Sequence, residues 1–316
     1  MTITLPRDLP LQRRVILTPL PPYDLALTLT ALARYPRRVN RWDGAVFRRL
    51  FHFPEYHGAF VHATVWQEST ADNPRLIVEL RGPTAIPTTA LDAAQAILVH
   101  MFGITENIRA FYARADADPA LGPLVRGLPG LRLFRKSGVT EEVLVDILAQ
   151  QISLPFAYQC KARLVAAYGP RLTVGEETMY ALPEPPALAA LTAEAVRPLL
   201  ISRQKAAAMR AYSEAVTTGA LDLAALPAMS DAEATAALTR VRGIGPWTAQ
   251  WTLGRTLARS HVVPVGDVGV QAMLGKLTGA GRKLTPDEVR HWADHWGEYA
   301  LLAVNYVIVG SWRGLI

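Results

Sequence analysis

The stretch Leu238–Ala249, LTRVRGIGPWTA, decides how the rest of the chain reads. Gly243 and Gly245 stand two apart. An apolar, helix-capable run (Glu233–Val241) precedes them and a second one (Pro246–Leu257) follows. Pro246 falls where a first helical turn begins, a place proline tolerates because the N–H it lacks would be unpaired there. The pattern reads as helix, tight Gly-x-Gly hairpin, helix, over residues 233–258. Glycines bring the hairpin backbone close to a ligand, and N–H groups at a helix start attract anions. A DNA phosphate is the natural occupant. The plainer alternative is an ordinary helical corner.

Around this motif lie 316 residues, 50% of them hydrophobic and 19% charged. That is a globular composition with length for about two domains. The formal net charge is +6 and the sequence pI about 9.6. The cations are mainly Arg, whose guanidinium fork suits phosphate oxygens; a GC-rich coding sequence would produce the same bias. The single cysteine, Cys160, excludes an intramolecular disulfide and a Cys-ligated zinc or iron–sulfur site. No apolar run reaches a membrane span and the first residues lack a signal-peptide core, so a reducing, cytoplasmic setting is expected.

Residues 1–20 read as a loose arm ending in a strand. Pro21–Leu25 opens a short helix to about Arg34. Strand-like segments follow at Arg38–Trp42, Ala45–Phe53, Gly58–Gln67 and Pro74–Arg81, with Trp42-Asp43-Gly44 as a hairpin turn. Thr88–Phe102 returns to helical spacing. Residues 1–105 are therefore expected to form a small α+β domain with an antiparallel sheet. From Glu106 no convincing strand remains. Helices are predicted at 106–116, 118–126, 140–151, 153–168, 187–200, 203–218, 231–241, 246–258, 268–277, 286–295 and 298–308, so residues 106–316 read as all-α.

About twenty residues beyond the hairpin comes HVVPVGDVGVQ, with Asp267 directly after Gly266. A helix-hairpin-helix followed by Gly-Asp at this distance resembles the HhH-GPD superfamily of DNA base-excision glycosylases, and within it the alkylation-repair branch. Pro21-Pro-Tyr-Asp24, Pro129-Gly-Leu-Arg-Leu133 and Tyr299-Ala-Leu-Leu302 also look like that branch, so the resemblance covers most of the chain. It implies two helical lobes in residues 106–316 with an active cleft between them. It also implies a monomer acting on double-stranded DNA that carries alkylated bases.

Asp267 is the expected catalytic carboxylate. Breaking an N-glycosidic bond leaves positive charge on the deoxyribose, which a nearby ionised carboxylate stabilises. Its residue-level alternative is an N-cap of the run 268–277. Trp247 and Trp251, four apart, share a helix face. The resemblance puts aromatics of the alkylbase pocket at both positions and a third at Trp296, with Trp292 and Tyr299 as alternates; packed core is the alternative for all of them. Strand-nicking relatives carry at position 247 a lysine that forms a Schiff base. Tryptophan cannot, and Lys276 is the nearest lysine downstream, so a monofunctional enzyme is expected. Gln151, in Gln150-Gln151-Ile152-Ser153, falls where the family inserts a wedge into the gap left by the flipped base. The alkylation-repair enzyme it resembles has leucine there, and a simple helix junction is the other reading. Gly243, Ile244, Gly245, Thr248 and Ser153 complete the expected DNA contacts. No cofactor or metal site is expected: His291 and His295 lack a third ligand at a recognised spacing. The resemblance does allow a monovalent cation on the hairpin carbonyls when DNA is bound. The rival functions are an oxidised-base glycosylase of the same fold and a non-catalytic damage-binding protein.

Overall fold

A computed structural model describes residues 9–34 and 38–316. The first eight residues of the expected arm lie outside them. The front of the chain forms one antiparallel sheet in the order β1-β5-β4-β3-β2. Its strands are β1 (Leu11–Leu17), β2 (Asn40–Trp42), β3 (Val46–Phe53), β4 (Ala59–Gln67) and β5 (Leu76–Arg81). Gly44, at φ +99°, closes the β2–β3 turn, where Asp43 Oδ1 accepts from the Ala45 and Val46 amides. Alternation sends Phe47, Phe51 and Phe53 of β3 and Val61, Ala63 and Val65 of β4 to one face. Helix α3 (Thr88–Met101) covers that face with Leu91, Ala94 and Leu98. The expected helix from Pro21–Leu25 is two single turns, α1 (Leu25–Thr28) and α2 (Thr30–Ala33).

Helices α4 (Arg109–Asp116), α5 (Leu121–Gly127), α6 (Val139–Ala149) and α7 (Leu154–Tyr168) follow. The remainder is helical, as expected, except for one short hairpin. Strands β6 (Arg171–Val174) and β7 (Glu177–Tyr180) form a hairpin around Gly175, at φ +58°. Met179 and Ala181 pack with Leu9 and Leu50 on the outer face of the front sheet, and Arg41 pairs with Glu177. The apolar positions of this hairpin are buried only by a sheet more than a hundred residues upstream. The helix predicted over 187–200 is also broken, into α8 (Pro185–Leu188), α9 (Ala193–Val196) and a 3-10 turn (Arg197–Leu199) that holds Pro198.

The rest is helical: α10 (Arg203–Thr217), α11 (Asp231–Thr239), α12 (Pro246–Trp251), α13 (Val268–Leu277), α14 (Pro286–Trp296) and α15 (Ala300–Trp312). The helix expected over 246–258 ends early. Thr252–Thr256 forms a π turn in which the Leu257 amide bonds to the Thr252 carbonyl. Gly254 sits in that turn because a Cβ would lie 2.6 Å from Leu301 Cδ2 and 2.8 Å from the Val262 carbonyl.

Two apolar clusters fill the helical part. One gathers α4, α5 and α13–α15 around Phe111, Leu274 and Tyr306. The other gathers α6, α7 and α8–α12 around Ile147, Met209 and Leu238. Helix α12 is the seam, since Trp251 belongs to the first and Ala249 to the second. The front sheet is tied to α6 by Arg49, whose Nη1 donates to Glu141 Oε2 at 3.0 Å. Lys161 Nζ donates to Glu141 Oε1 at 2.8 Å. Burial opposes ionisation of Glu141, but Lys161, Arg49 and Lys136 hold its carboxyl well below the usual range.

Candidate active cleft

The seam opens into a cavity of about 190 Å³. Trp247 and Trp251 of α12, Arg255 of the π turn, Asp267 and Met273 of α13, Asp146 of α6 and Asn305 of α15 all face it.

Asp267 is placed by its backbone. Its amide donates to the Pro264 carbonyl at 2.9 Å, and its extended conformation (φ −75°, ψ 116°) starts α13. Its two oxygens have different partners. Oδ1 accepts from the Val270 amide at 2.9 Å, which is the N-cap. Oδ2 accepts from Trp247 Nε1 at 2.9 Å and Trp251 Nε1 at 3.2 Å. The residue is half-buried on the cavity wall. Such an oxygen is aimed by two rigid donors and is not spent on its own helix.

The tryptophans therefore orient the carboxylate. Trp247 is half-buried, whereas Trp251 is 6% exposed. Arg255 Cζ lies 3.9 Å from the centroid of the Trp251 ring, so one face of that indole already carries a cation. Arg255 Nη2 also donates to Glu142 Oε1, and to Asp146 Oδ1 at 3.3 Å.

Trp296 is a correction. It is fully buried, absent from the cavity wall and packed on Phe111 at 6.0 Å, on Trp292 at 5.9 Å and on His295 at 5.2 Å. Helix α14 turns this side chain into the core between α4 and α15, so it offers no surface to a base. Trp292 packs against the same core, and Tyr299 lines a different cavity, with His100 and Arg135.

At the hairpin, Gly243 has φ +93°, and a Cβ there would overlap Ala208. The structure leaves Gly245 open space. Ile244 is 4% and Thr248 1% exposed, so neither side chain reaches a ligand and both can contribute backbone alone. The Ile244 amide is already bonded to the Val241 carbonyl. Gln150 Nε2 donates to the Gly243 carbonyl at 3.0 Å and ties the α6–α7 loop to the hairpin.

Gln151 and Ser153 are exposed on that loop, between the cavity-lining Ala149 and Leu154. Gln151 has φ +58°, a costly conformation for a residue with a side chain. Ser153 precedes α7 without a side-chain capping bond.

Sequence reasoning missed Lys136, Asp146, Arg255 and Asn305 on the cavity wall. No spacing joins positions 136, 146, 255 and 305; they meet only when α6, the π turn and α15 converge.

The hairpin, the Asp at the head of α13 and the cleft along the seam match a known class. The model of the HhH-GPD superfamily base excision DNA repair proteins matches residues 145–298, and this part of the chain belongs to that superfamily. Among particular relatives, a DNA-3-methyladenine glycosylase of Bacillus subtilis is 28% identical over 79% of this chain and 81% of its own length. The fold also matches two solved structures. A 3-methyladenine DNA-glycosylase from Archaeoglobus fulgidus has a TM-score of 0.79 at 24% identity, covering 94% of this chain and 98% of that one. A Clostridium acetobutylicum 8-oxoguanine glycosylase/lyase bound to double-stranded DNA has a TM-score of 0.74 at 16% identity, covering 98% and 100%.

Proposed function

We propose that this DNA glycosylase of the HhH-GPD superfamily excises N-alkylated bases, 3-methyladenine and related purines, from double-stranded DNA, and leaves an abasic site. The observation that carries the reading is Asp267 Oδ2, held on the cleft wall by two indole N–H groups. The damaged nucleotide swings into the cleft. As the C1′–N bond breaks, its electron pair leaves with the base and positive charge grows on C1′ and the ring oxygen. The Asp267 carboxylate faces that charge, in a site shielded from water, where its effect is large. A water oxygen then bonds to C1′, and its proton is taken up by the carboxylate or solvent. The Gly243–Gly245 backbone would hold a phosphate of the distorted strand, and Gln151 would fill the gap left by the base.

Alkylated rather than oxidised bases are favoured by the Bacillus subtilis relative and by Trp247. Its Nε1 stands 2.9 Å from Asp267, the place where strand-nicking relatives need a lysine amine. Lys136 faces the same cavity but is 4% exposed, within electrostatic range of the Glu141 and Asp146 carboxyls.

Duplexes carrying alkylated, oxidised or deaminated bases, assayed for released base with wild type beside Asp267→Asn, test the proposal. We expect 3-methyladenine release by the wild type and a loss of at least about 10²-fold in the variant. Release of oxidised bases in its place transfers the protein to the oxidised-base enzymes. A covalent DNA adduct trapped by borohydride would contradict hydrolysis by water.

A further inference from the structure

The cleft wall holds a polar group that the steps above do not use. Asp146 is 1% exposed yet borders the cavity, and its Oδ2 accepts no hydrogen bond. The carboxyls of Glu142 and Asp146 share one guanidinium, that of Arg255. This cluster adjoins the reaction centre: Asp267 bonds the edge of Trp251, Arg255 lies over the same ring, and Arg255 bonds Asp146. Asp146 and Asp267 line the same cavity, so a purine whose sugar carbon lies against Asp267 occupies the space that Asp146 borders.

We propose that Asp146 reads the base, accepting a hydrogen bond from an exocyclic amino group and thereby selecting amino-bearing bases over those with a carbonyl at the same position. The inference rests on the glycosylase reading. An unpaired buried acceptor is costly, so a base that supplies an N–H is favoured; a base that presents an oxygen meets acceptor with acceptor. Burial and the neighbouring Glu142 push the Asp146 carboxyl well above the usual range. The carboxyl keeps its proton beside Glu142 and still presents one carbonyl oxygen to the base. Arg255, already committed to two carboxyls and an indole face, holds the pair in place.

The test compares release of 3-methyladenine and of hypoxanthine by wild type, Asp146→Ala and Asp146→Asn, with thermal unfolding of each. Asp146→Ala should lower kcat/KM for 3-methyladenine at least about tenfold and leave hypoxanthine release unchanged or raised. Asp146→Asn, whose amide can donate to Glu142 and still offer an oxygen, should keep the wild-type ratio. An equal change on both bases, or none, overturns the proposal. Free adenine should also inhibit the wild type more strongly than free purine, which lacks only the amino group; equal inhibition overturns the proposal without any variant. A wild type that releases no base sinks the glycosylase reading itself, and this inference with it; release with an unmoved ratio sinks this inference alone.

Discussion

Asp267 is the residue on which capping and the proposed chemistry meet, and the two separate by substitution. Asparagine caps a helix about as well as aspartate. Asp267→Asn should therefore unfold within about 0.5 kcal/mol of wild type in a denaturant titration while losing base release. Asp267→Ala should lose the cap as well, at about 1 kcal/mol. Equal unfolding of the two variants would mean that the Val270 amide bond to Oδ1 contributes nothing. The indoles act on the same oxygen. Trp247→Phe keeps a ring but removes one N–H donor to a carboxylate, an interaction of about 1.5–3 kcal/mol. We expect kcat to fall roughly tenfold or more. A loss in KM alone would assign Trp247 to base stacking and not to orientation.

At the scale of the element, the hairpin and the π turn do different work. Gly243 is required twice, by its positive φ and by the Ala208 side chain against it. Gly243→Ala should destabilise by about 1–3 kcal/mol through overpacking alone. It should also weaken binding to undamaged duplex, read by fluorescence anisotropy, because the Gly243 carbonyl that anchors Gln150 would shift. Unchanged DNA affinity in a folded variant would remove the hairpin from the interface. The π turn carries Arg255 four residues beyond Trp251, the helical spacing that sets the two side chains on one face.

At the scale of the whole molecule, the front sheet and the helical part are joined by charge and by a hairpin. His62 lies on the outer face of the sheet, near β7. Burial, with Arg48, Arg41 and Arg81 nearby, lowers its pKa from 6.5 to about 3. The unfolded chain therefore takes up a proton below pH 6.5 that the folded chain refuses. Stability from this group is full above pH 6.5 and is lost as pH falls towards 3. At pH 5 the loss is about 2 kcal/mol. Denaturant titrations at pH 7.5 and 5 should show that difference in the wild type and a smaller one in His62→Leu. The same pH response in both would place the acid sensitivity elsewhere.

Much was legible without the structure, and the reason is locality. The five front strands, α3 and the corner at Gly243–Gly245 depend on alternation, helical spacing and glycine, all set within a dozen residues. So does the Asp that begins α13. Tertiary packing alone decided that Trp296 is core, that Thr248 and Ile244 are buried, and that β6 and β7 pair beneath the front sheet. It also brought Lys136 and Asp146 to the cleft. A side chain's face depends on which distant element buries it, and burial by residues a hundred positions away leaves no period in the local sequence.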